Sequence, residues 1–192
     1  MIPNQNSLMK EAFVLLLALV VISTTGSARD EFVISKITPT LEQTPEIGGS
    51  KRRNGGGEEK WLALEVDFKS NVDYTDELTF NYYVLYATKC LVGETVYTDI
   101  YKGRELHSVM YISPKALKKL TAGKYVSLNG LDNITVQIVS KGEVIAEKSL
   151  RDVRGEWWKQ LEPVKNVVLK KNETPFTWVD YDYYEQIKPE VH

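Results

Sequence analysis

Apolar and polar residues alternate along several stretches of the chain, with the period of two that a half-buried β-strand requires. The clearest stretch is 61–69, where one face is apolar and the other is mostly charged. A second stretch, 78–87, has apolar residues at every other position. Both stretches are predicted to be strands that pack one face against a hydrophobic core. Their apolar positions are Leu62, Leu64, Val66, Phe68, Leu78, Phe80, Tyr82, Val84 and Tyr86.

Weaker runs rich in β-branched and aromatic residues extend this pattern over most of the chain. Because about seven or eight short strands follow one another at intervals of roughly ten residues, the sequence predicts an all-β antiparallel β-sandwich and not a βαβ fold. Glycine in the stretch 140–143 predicts a tight turn within a hairpin. The further predicted strands cover 31–38, 91–101, 108–113, 125–128, 134–139, 144–150 and 164–170.

One short helix is predicted after residue 113. Ser113 can cap exposed backbone N–H groups, and Pro114 suits the first helical position because it has no N–H to leave unpaired. Gly123 supplies a stop signal. We expect this helix to cross between the two layers of the sandwich. Its apolar face carries Ala116, Leu117 and Leu120.

The first 28 residues have the three-part order of a secretory signal peptide. Polar residues at 4–10 precede an unbroken apolar run at 12–22, and small residues at 26–28 suit a cleavage site. These eleven apolar residues would cover roughly half of a ~30 Å hydrocarbon core as a helix. The prediction is therefore a cleaved signal that meets the membrane only during export, with an uncleaved N-terminal anchor as the alternative.

The remaining chain is predicted to divide into three parts. Residues 29–60 hold the first strand and a glycine-rich basic loop, which is either a contact loop or a plain solvated connection. Residues 61–150 form the core of the sandwich. Residues 151–192 form a C-terminal extension that packs on the sandwich or extends it.

Composition and charge exclude some classes of function. Hydrophobic residues make up 43% and charged residues 26% of the chain, which are the values of a globular protein. A net charge of −2 with scattered basic residues argues against binding to nucleic acid. Because Cys90 is the only cysteine, no intramolecular disulfide can form. Cys90 is predicted to be a small buried hydrophobe, with an intermolecular bridge as the alternative.

Residues with catalytic or metal-binding chemistry are scarce. The chain has two histidines, His107 and His192, which are too few for a histidine-based zinc site even with Cys90. No nucleophile elbow or phosphate-binding loop is present in the sequence. We therefore expect no catalytic residues, no cofactor and no metal, and we expect His107 at the surface or at a strand edge. A hydrolase built on paired carboxylates is the least favoured alternative.

The C-terminal aromatic residues are the strongest candidates for a binding site. Exposed tryptophan and tyrosine rings anchor protein partners well and also form stacking platforms for sugars. The alternative is that the segment folds back and buries its rings. For Trp157 and Trp158, neighbours on a strand cannot both face the core, so we expect one ring to be exposed or covered by the C-terminal segment. The candidate partner-binding residues are Trp178, Tyr181, Tyr183 and Tyr184.

The order of the strand at 32–37, the strand at 61–68 and the helix that follows Ser113-Pro114 resembles secreted proteins of the Akkermansia type that are encoded beside type IV pilus genes. The resemblance covers about residues 31–150. It implies an immunoglobulin-like β-sandwich, a pilus-associated role and no catalysis. The sequence departs from a polymerising pilin, because no acidic residue lies within the apolar run at 12–22.

Together these patterns predict a non-enzymatic binding or assembly module that is secreted, periplasmic or at the cell surface. Its partner would be a protein of the cell envelope or a second copy of the chain, bound through a sheet edge or through the C-terminal aromatic residues. A carbohydrate-binding module that uses the same aromatic residues is the alternative.

Overall fold

The structure, a computed structural model, describes residues 31–45, 60–123, 127–152 and 155–189. It confirms the all-β prediction with one short helix. The predicted signal peptide at 1–28 and the glycine-rich stretch at 48–57 lie outside the described residues. The elements are β1 (Phe32–Gln43), β2 (Lys60–Tyr86), β3 (Lys89–Ile112), α1 (Pro114–Leu120), β4 (Leu131–Ser140), β5 (Glu143–Ser149), β6 (Pro163–Val164) and β7 (Val168–Lys170), with short 3-10 turns at Leu128–Gly130, Trp157–Gln160 and Lys171–Glu173.

The strands form one hydrogen-bonded sheet of seven, in the order β5-β4-β2-β3-β6, with β1 paired to β2 and β7 paired to β3. All pairings are antiparallel except β3 with β6. The strand predicted at 125–128 is wrong where it can be assessed, because Leu128 begins a 3-10 turn. Ser127 caps that turn and accepts a hydrogen bond from the backbone N–H of Asn129.

The prediction of many short strands is wrong for the middle of the chain. β2 contains both predicted strands 61–69 and 78–87, and β3 contains both 91–101 and 108–113. The stretch 70–76 has neither glycine nor proline to end a strand, so the chain continues through it. The β2–β3 register instead shifts between Phe68 and Tyr74, as a β-bulge would cause.

The two layers of the fold are therefore two halves of one sheet. The first half of β2 pairs with β1 and with the second half of β3, whereas the second half of β2 pairs with β4 and with the first half of β3. Phe80, from the second half of β2, bridges the two layers. Its ring centroid lies 4.9 Å from that of Phe68 and 5.3 Å from that of Tyr97, edge to face in both pairs.

A chain of hydroxyl groups lies inside this apolar core. Tyr82 Oη lies 2.7 Å from Ser108 Oγ, and Ser108 Oγ donates to Tyr97 Oη at 2.8 Å. The backbone N–H of Val109 also donates to Tyr97 Oη, at 3.1 Å. Burial raises the pKa of Tyr82 well above its usual value and that of Tyr97 to about 12, so both phenols are neutral at physiological pH.

The helix forms where the sequence predicts it. Ser113 Oγ accepts a hydrogen bond from the backbone N–H of Ala116, and Pro114 occupies the first turn. Leu117 is fully buried on the core. Gly123 adopts a φ of +79°, which glycine reaches without strain, and its N–H donates to the carbonyl of Lys118. The chain passes through this helix from β3 in one layer to β4 in the other. None of the helices in the described ranges has the length and apolar character that a bilayer crossing requires.

The expectation that Trp157 or Trp158 is exposed is wrong, because both side chains are buried. They lie in a 3-10 turn, so the alternation of a strand does not apply to them. Trp157 Nε1 donates to Thr135 Oγ1 at 2.9 Å, and the ring of Trp158 stacks on Tyr83 with centroids 4.9 Å apart. Both pack against Cys90, which is buried as predicted, and burial raises the pKa of its thiol.

Candidate functional site

The C-terminal segment 171–189 is called the tail below. The part that holds Phe176, Tyr183 and Tyr184 lies on the outer face of the layer that holds β1 and the first half of β2. The last part, 186–188, pairs with residues 96–98 in the first half of β3. Phe176 anchors the tail. Its ring stacks on Tyr111 with centroids 4.5 Å apart and meets the edge of Trp61 at 5.7 Å. These three side chains form a second, smaller apolar core with Ala63 and Val109.

Tyr183 and Tyr184 hold the tail to the sheet by polar contacts. Tyr184 Oη donates to a carboxylate oxygen of Glu65 at 3.0 Å, and Tyr183 Oη donates to the other oxygen at 3.5 Å. The Tyr183 ring stacks on His107 with centroids 3.9 Å apart, and the Lys171 Nζ lies 5.1 Å from the centroid of Tyr184. Burial and nearby carboxylates raise the pKa of both tyrosines, so their hydroxyls are donors.

Trp178 and Tyr181 are instead exposed, at 74% and 57% of their surface. Their rings stack on each other with centroids 5.9 Å apart and an interplanar angle of 29°. We call this pair the aromatic platform. Of the four predicted residues, Tyr183 and Tyr184 fasten the tail through Glu65, although Tyr183 is itself 47% exposed, and Trp178 and Tyr181 form the solvent-facing pair. An exposed tryptophan held in place by a neighbouring ring can bind a partner with little loss of side-chain entropy.

Several carboxylates lie on the tail and on the strands beneath it. Asp180 and Asp182 are exposed on the tail itself. Burial raises the pKa of Glu42, the hydrogen bond from Thr40 opposes this, and the charges of Glu65 and Asp180 raise it further. This part of the surface therefore carries closely spaced negative charge.

His107 was predicted at the surface or at a strand edge, but it lies inside the sheet with its side chain 13% exposed. It lies within β3 directly opposite Asp67 of β2, and its Nδ1 is 3.0 Å from an Asp67 carboxylate oxygen. The backbone N–H of Glu185 donates to the His107 carbonyl. The alternation of β2 already placed Glu65 and Asp67 on one polar face. Only the β2–β3 register brings His107 beside them, and the sequence does not specify that register.

Glu65, Asp67 and His107 are also the residues that could hold a metal ion. Their ligand atoms all lie within 4.8 Å of one another. Each group, however, already has a partner in the protein, because Glu65 accepts from Tyr184 while Asp67 pairs with His107. These internal contacts explain the cluster without a metal.

Two grooves adjoin possible binding surfaces. One of about 510 Å³ opens beside the aromatic platform, with Tyr181, Asp182 and Glu185 in its wall. A second of about 530 Å³ runs between β1 and β5, whose outer edges carry no strand partner among the described residues. Val33 and Val144 are exposed at this second groove. An unpaired edge of this kind can accept another strand.

Replacing Tyr184 by Phe should lower the free energy of unfolding by about 1–2 kcal/mol, because the hydrogen bond to the charged Glu65 is lost from a half-buried site. Chemical denaturation measures this change, and limited proteolysis should show faster cleavage of the tail. The matched control is Tyr101→Phe, whose ring is 63% exposed and which should change stability very little. Equal effects of the two substitutions would contradict the role of Tyr184.

Comparison with known proteins gives a family and a fold. A protein-family model matches residues 23–191, almost the whole chain. A crystal structure of a protein from Akkermansia muciniphila is similar with a TM-score of 0.69 and 23% identity, over 84% of this chain and 94% of that chain. At this identity the likeness shows a shared fold. The curated proteins contain no match to the sequence.

Proposed function

This chain belongs to the protein family whose model spans residues 23–191, and from that premise we propose that it is an exported, non-enzymatic module that binds another protein at the cell envelope. The aromatic platform is the surface that makes the contact. One observation carries the proposal: Trp178 is 74% exposed and is stacked on a second exposed ring. Large aromatic side chains dominate the binding energy of protein interfaces.

The position of the platform supports this role. Phe176, two residues before Trp178, is buried on Tyr111, and Tyr184 after it is bonded to Glu65. The exposed rings are therefore presented between two fixed points on the sheet. A surface that is ordered before binding loses less entropy when its partner arrives.

Absence of catalysis is part of the proposal. The cluster of Glu65, Asp67 and His107 has the chemistry that a hydrolase would need, but its groups are engaged with one another and with the tail. Tyr183 covers one face of the His107 ring. These contacts favour a structural role for the cluster, which fastens the tail to β2 and β3.

A role beside type IV pili is the finer form of the proposal. It is supported by the resemblance of the strands at 32–37 and 61–68 and of the helix after Ser113. The apolar run at 12–22 is consistent with export to the compartment where such proteins act. The missing acidic residue in that run favours an accessory protein over a polymerising subunit.

Carbohydrate binding is the second candidate function. Stacked aromatic rings open to solvent are the surface on which a sugar ring packs, and the Trp178–Tyr181 pair has this arrangement. A glycan array distinguishes this candidate from the first.

The test compares the intact protein with the double variant Trp178→Ala, Tyr181→Ala. We expect immobilised intact protein to retain a defined envelope protein of the producing bacterium and the double variant to lose at least about 90% of it, because interface hot spots of this type contribute about 2 kcal/mol or more. Quantitative mass spectrometry of the bound fraction measures this. Both rings are exposed, so the melting temperature should be unchanged.

The control is Tyr74→Ala, Tyr101→Ala, which removes another exposed pair of rings that lie 5.2 Å apart on β2 and β3. It should retain the same partner at the same level. Glycan binding that depends on Trp178, with no protein retained, would replace the proposal by the second candidate. Retention that survives loss of the platform would place the contact elsewhere, and the edges of β1 and β5 are then the next surface to alter.

A further inference from the structure

The surface around the aromatic platform carries carboxylates that have no ion-pair partner within the described part of the chain. Among the described residues, no lysine or arginine forms an ion pair with Glu42, Glu65, Asp180 or Asp182. The charge of Asp180 acts on both Glu42 and Tyr111. Carboxylates held close together repel one another, and this repulsion persists in the free protein.

The lysines of the tail are already engaged elsewhere. Lys171 is buried with its Nζ over the ring of Tyr184, and it donates to the carbonyl of Thr177. Lys188 forms an ion pair with Glu77 at 2.5 Å. Neither one forms a close ion pair with the exposed carboxylates beside the platform, although the charge of Asp180 partly opposes the lowering of the Lys171 pKa by burial.

An exposed indole ring with carboxylates nearby in the chain is well suited to binding a cation. A guanidinium or ammonium group over the face of tryptophan is attracted by the ring, and a carboxylate beside the ring adds a charge-assisted hydrogen bond. The contact of Lys171 with Tyr184 shows that the tail already holds one cation on an aromatic ring. Trp178, with Asp180 two residues away, offers the same combination to an external group.

We propose that the aromatic platform, with Asp180 and Asp182, binds a basic segment of its protein partner by placing an arginine or lysine side chain on the Trp178 ring. The inference rests on the proposed function, because it names the partner chemistry of the same surface. The groove of about 510 Å³ beside Tyr181 takes the neighbouring residues of that segment, and Asp182 and Glu185 in its wall favour further positive charge.

Charge complementarity favours a cationic partner over a neutral sugar. A sugar would cover the Trp178 ring but would leave the repulsion among Glu42, Asp180 and Glu65 unchanged. A basic segment reduces that repulsion when it binds, and this gain adds to the contact with the ring. Binding should therefore weaken steeply with ionic strength, which the stacking of a neutral sugar would not do.

The probe is an acetylated, amidated peptide in which three arginines alternate with glycine, and the matched peptide has citrulline in place of each arginine. Titration followed by the NMR signal of the Trp178 indole N–H should show binding of the arginine peptide only. Raising the salt from about 50 mM to about 500 mM should weaken this binding several-fold. In calorimetric titrations, which do not need the indole signal, the double variant Asp180→Asn, Asp182→Asn should bind about fivefold more weakly, and so should Trp178→Ala.

The control for charge is Asp132→Asn, Glu143→Gln, which removes two exposed carboxylates from β4 and β5 and should leave the affinity unchanged. Equal binding of the arginine and citrulline peptides, or equal effects of the two double variants, would overturn the inference. The retention experiment with the envelope protein distinguishes failure of this inference from failure of the proposed function. If the partner is retained through Trp178 but the arginine peptide does not displace it, the surface binds protein without the basic contact. If no partner is retained, the proposed function itself fails.

Discussion

Replacing Phe80 by Ala should lower the free energy of unfolding by about 3–5 kcal/mol, the largest effect we expect from any single substitution considered. The side chain is fully buried and packs against Phe68 from one layer and Tyr97 from the other. Removing it leaves a cavity between the two layers, and both edge-to-face contacts are lost. Denaturation in urea followed by tryptophan fluorescence measures the change.

Two further variants keep this prediction testable. Phe80→Leu should fold even if Phe80→Ala does not, and it should lower stability by less because most of the volume remains. Tyr101→Ala also removes an aromatic ring from the sheet, but that ring is 63% exposed, so the loss should stay below about 1 kcal/mol. A loss for Phe80→Ala as small as that for Tyr101→Ala would show that Phe80 does not bridge the layers.

The protein should lose stability in alkali as its buried tyrosines ionise. Burial raises the pKa of Tyr97 to about 12, against 10.0 for a free tyrosine. The folded state therefore keeps the phenol neutral while the unfolded chain ionises it. Stability is intact below about pH 10 and falls as the pH rises towards 12, by about 3 kcal/mol for Tyr97 alone. The pKa of Tyr82 is raised in the same direction and adds to the loss.

The measurement is the free energy of unfolding in urea between about pH 8 and about pH 11.5, with tyrosinate absorbance followed in parallel. Ionisation of the buried tyrosines should coincide with unfolding. Tyr181→Phe, which removes an exposed phenol, should leave this profile unchanged. Stability that stays constant up to about pH 11.5 would contradict the burial of the hydroxyl chain formed by Tyr82, Ser108 and Tyr97.

The sequence predicted much of this fold because the alternation of apolar residues is local. The alternate residues Leu62, Leu64, Val66 and Phe68 face the core as that pattern requires, and the helix begins after its predicted cap, Ser113. The merging of strands into β2 and β3 was not predicted. A mostly polar stretch such as 70–76 can either end a strand or continue it. Which of the two occurs depends on pairing with a distant part of the chain.

The binding surface was predicted only in part, for the same reason. Composition identified the aromatic residues of the tail, but it could not separate the exposed Trp178 from Tyr184, which bonds to Glu65 more than a hundred residues away. His107 was misjudged because its partner Asp67 lies 40 residues earlier. Contacts at such separations follow from the register of the sheet, which no local pattern encodes.

The shared strands have a mechanical consequence. Because β2 and β3 each run through both layers, the two halves of the domain cannot slide past one another or open like a hinge without breaking backbone hydrogen bonds in the longest strand pair. Tension that reaches the platform through the tail passes to β3, where the N–H of Glu185 meets the carbonyl of His107. The same strand conveys it to the opposite layer, so the domain resists a pull as one unit.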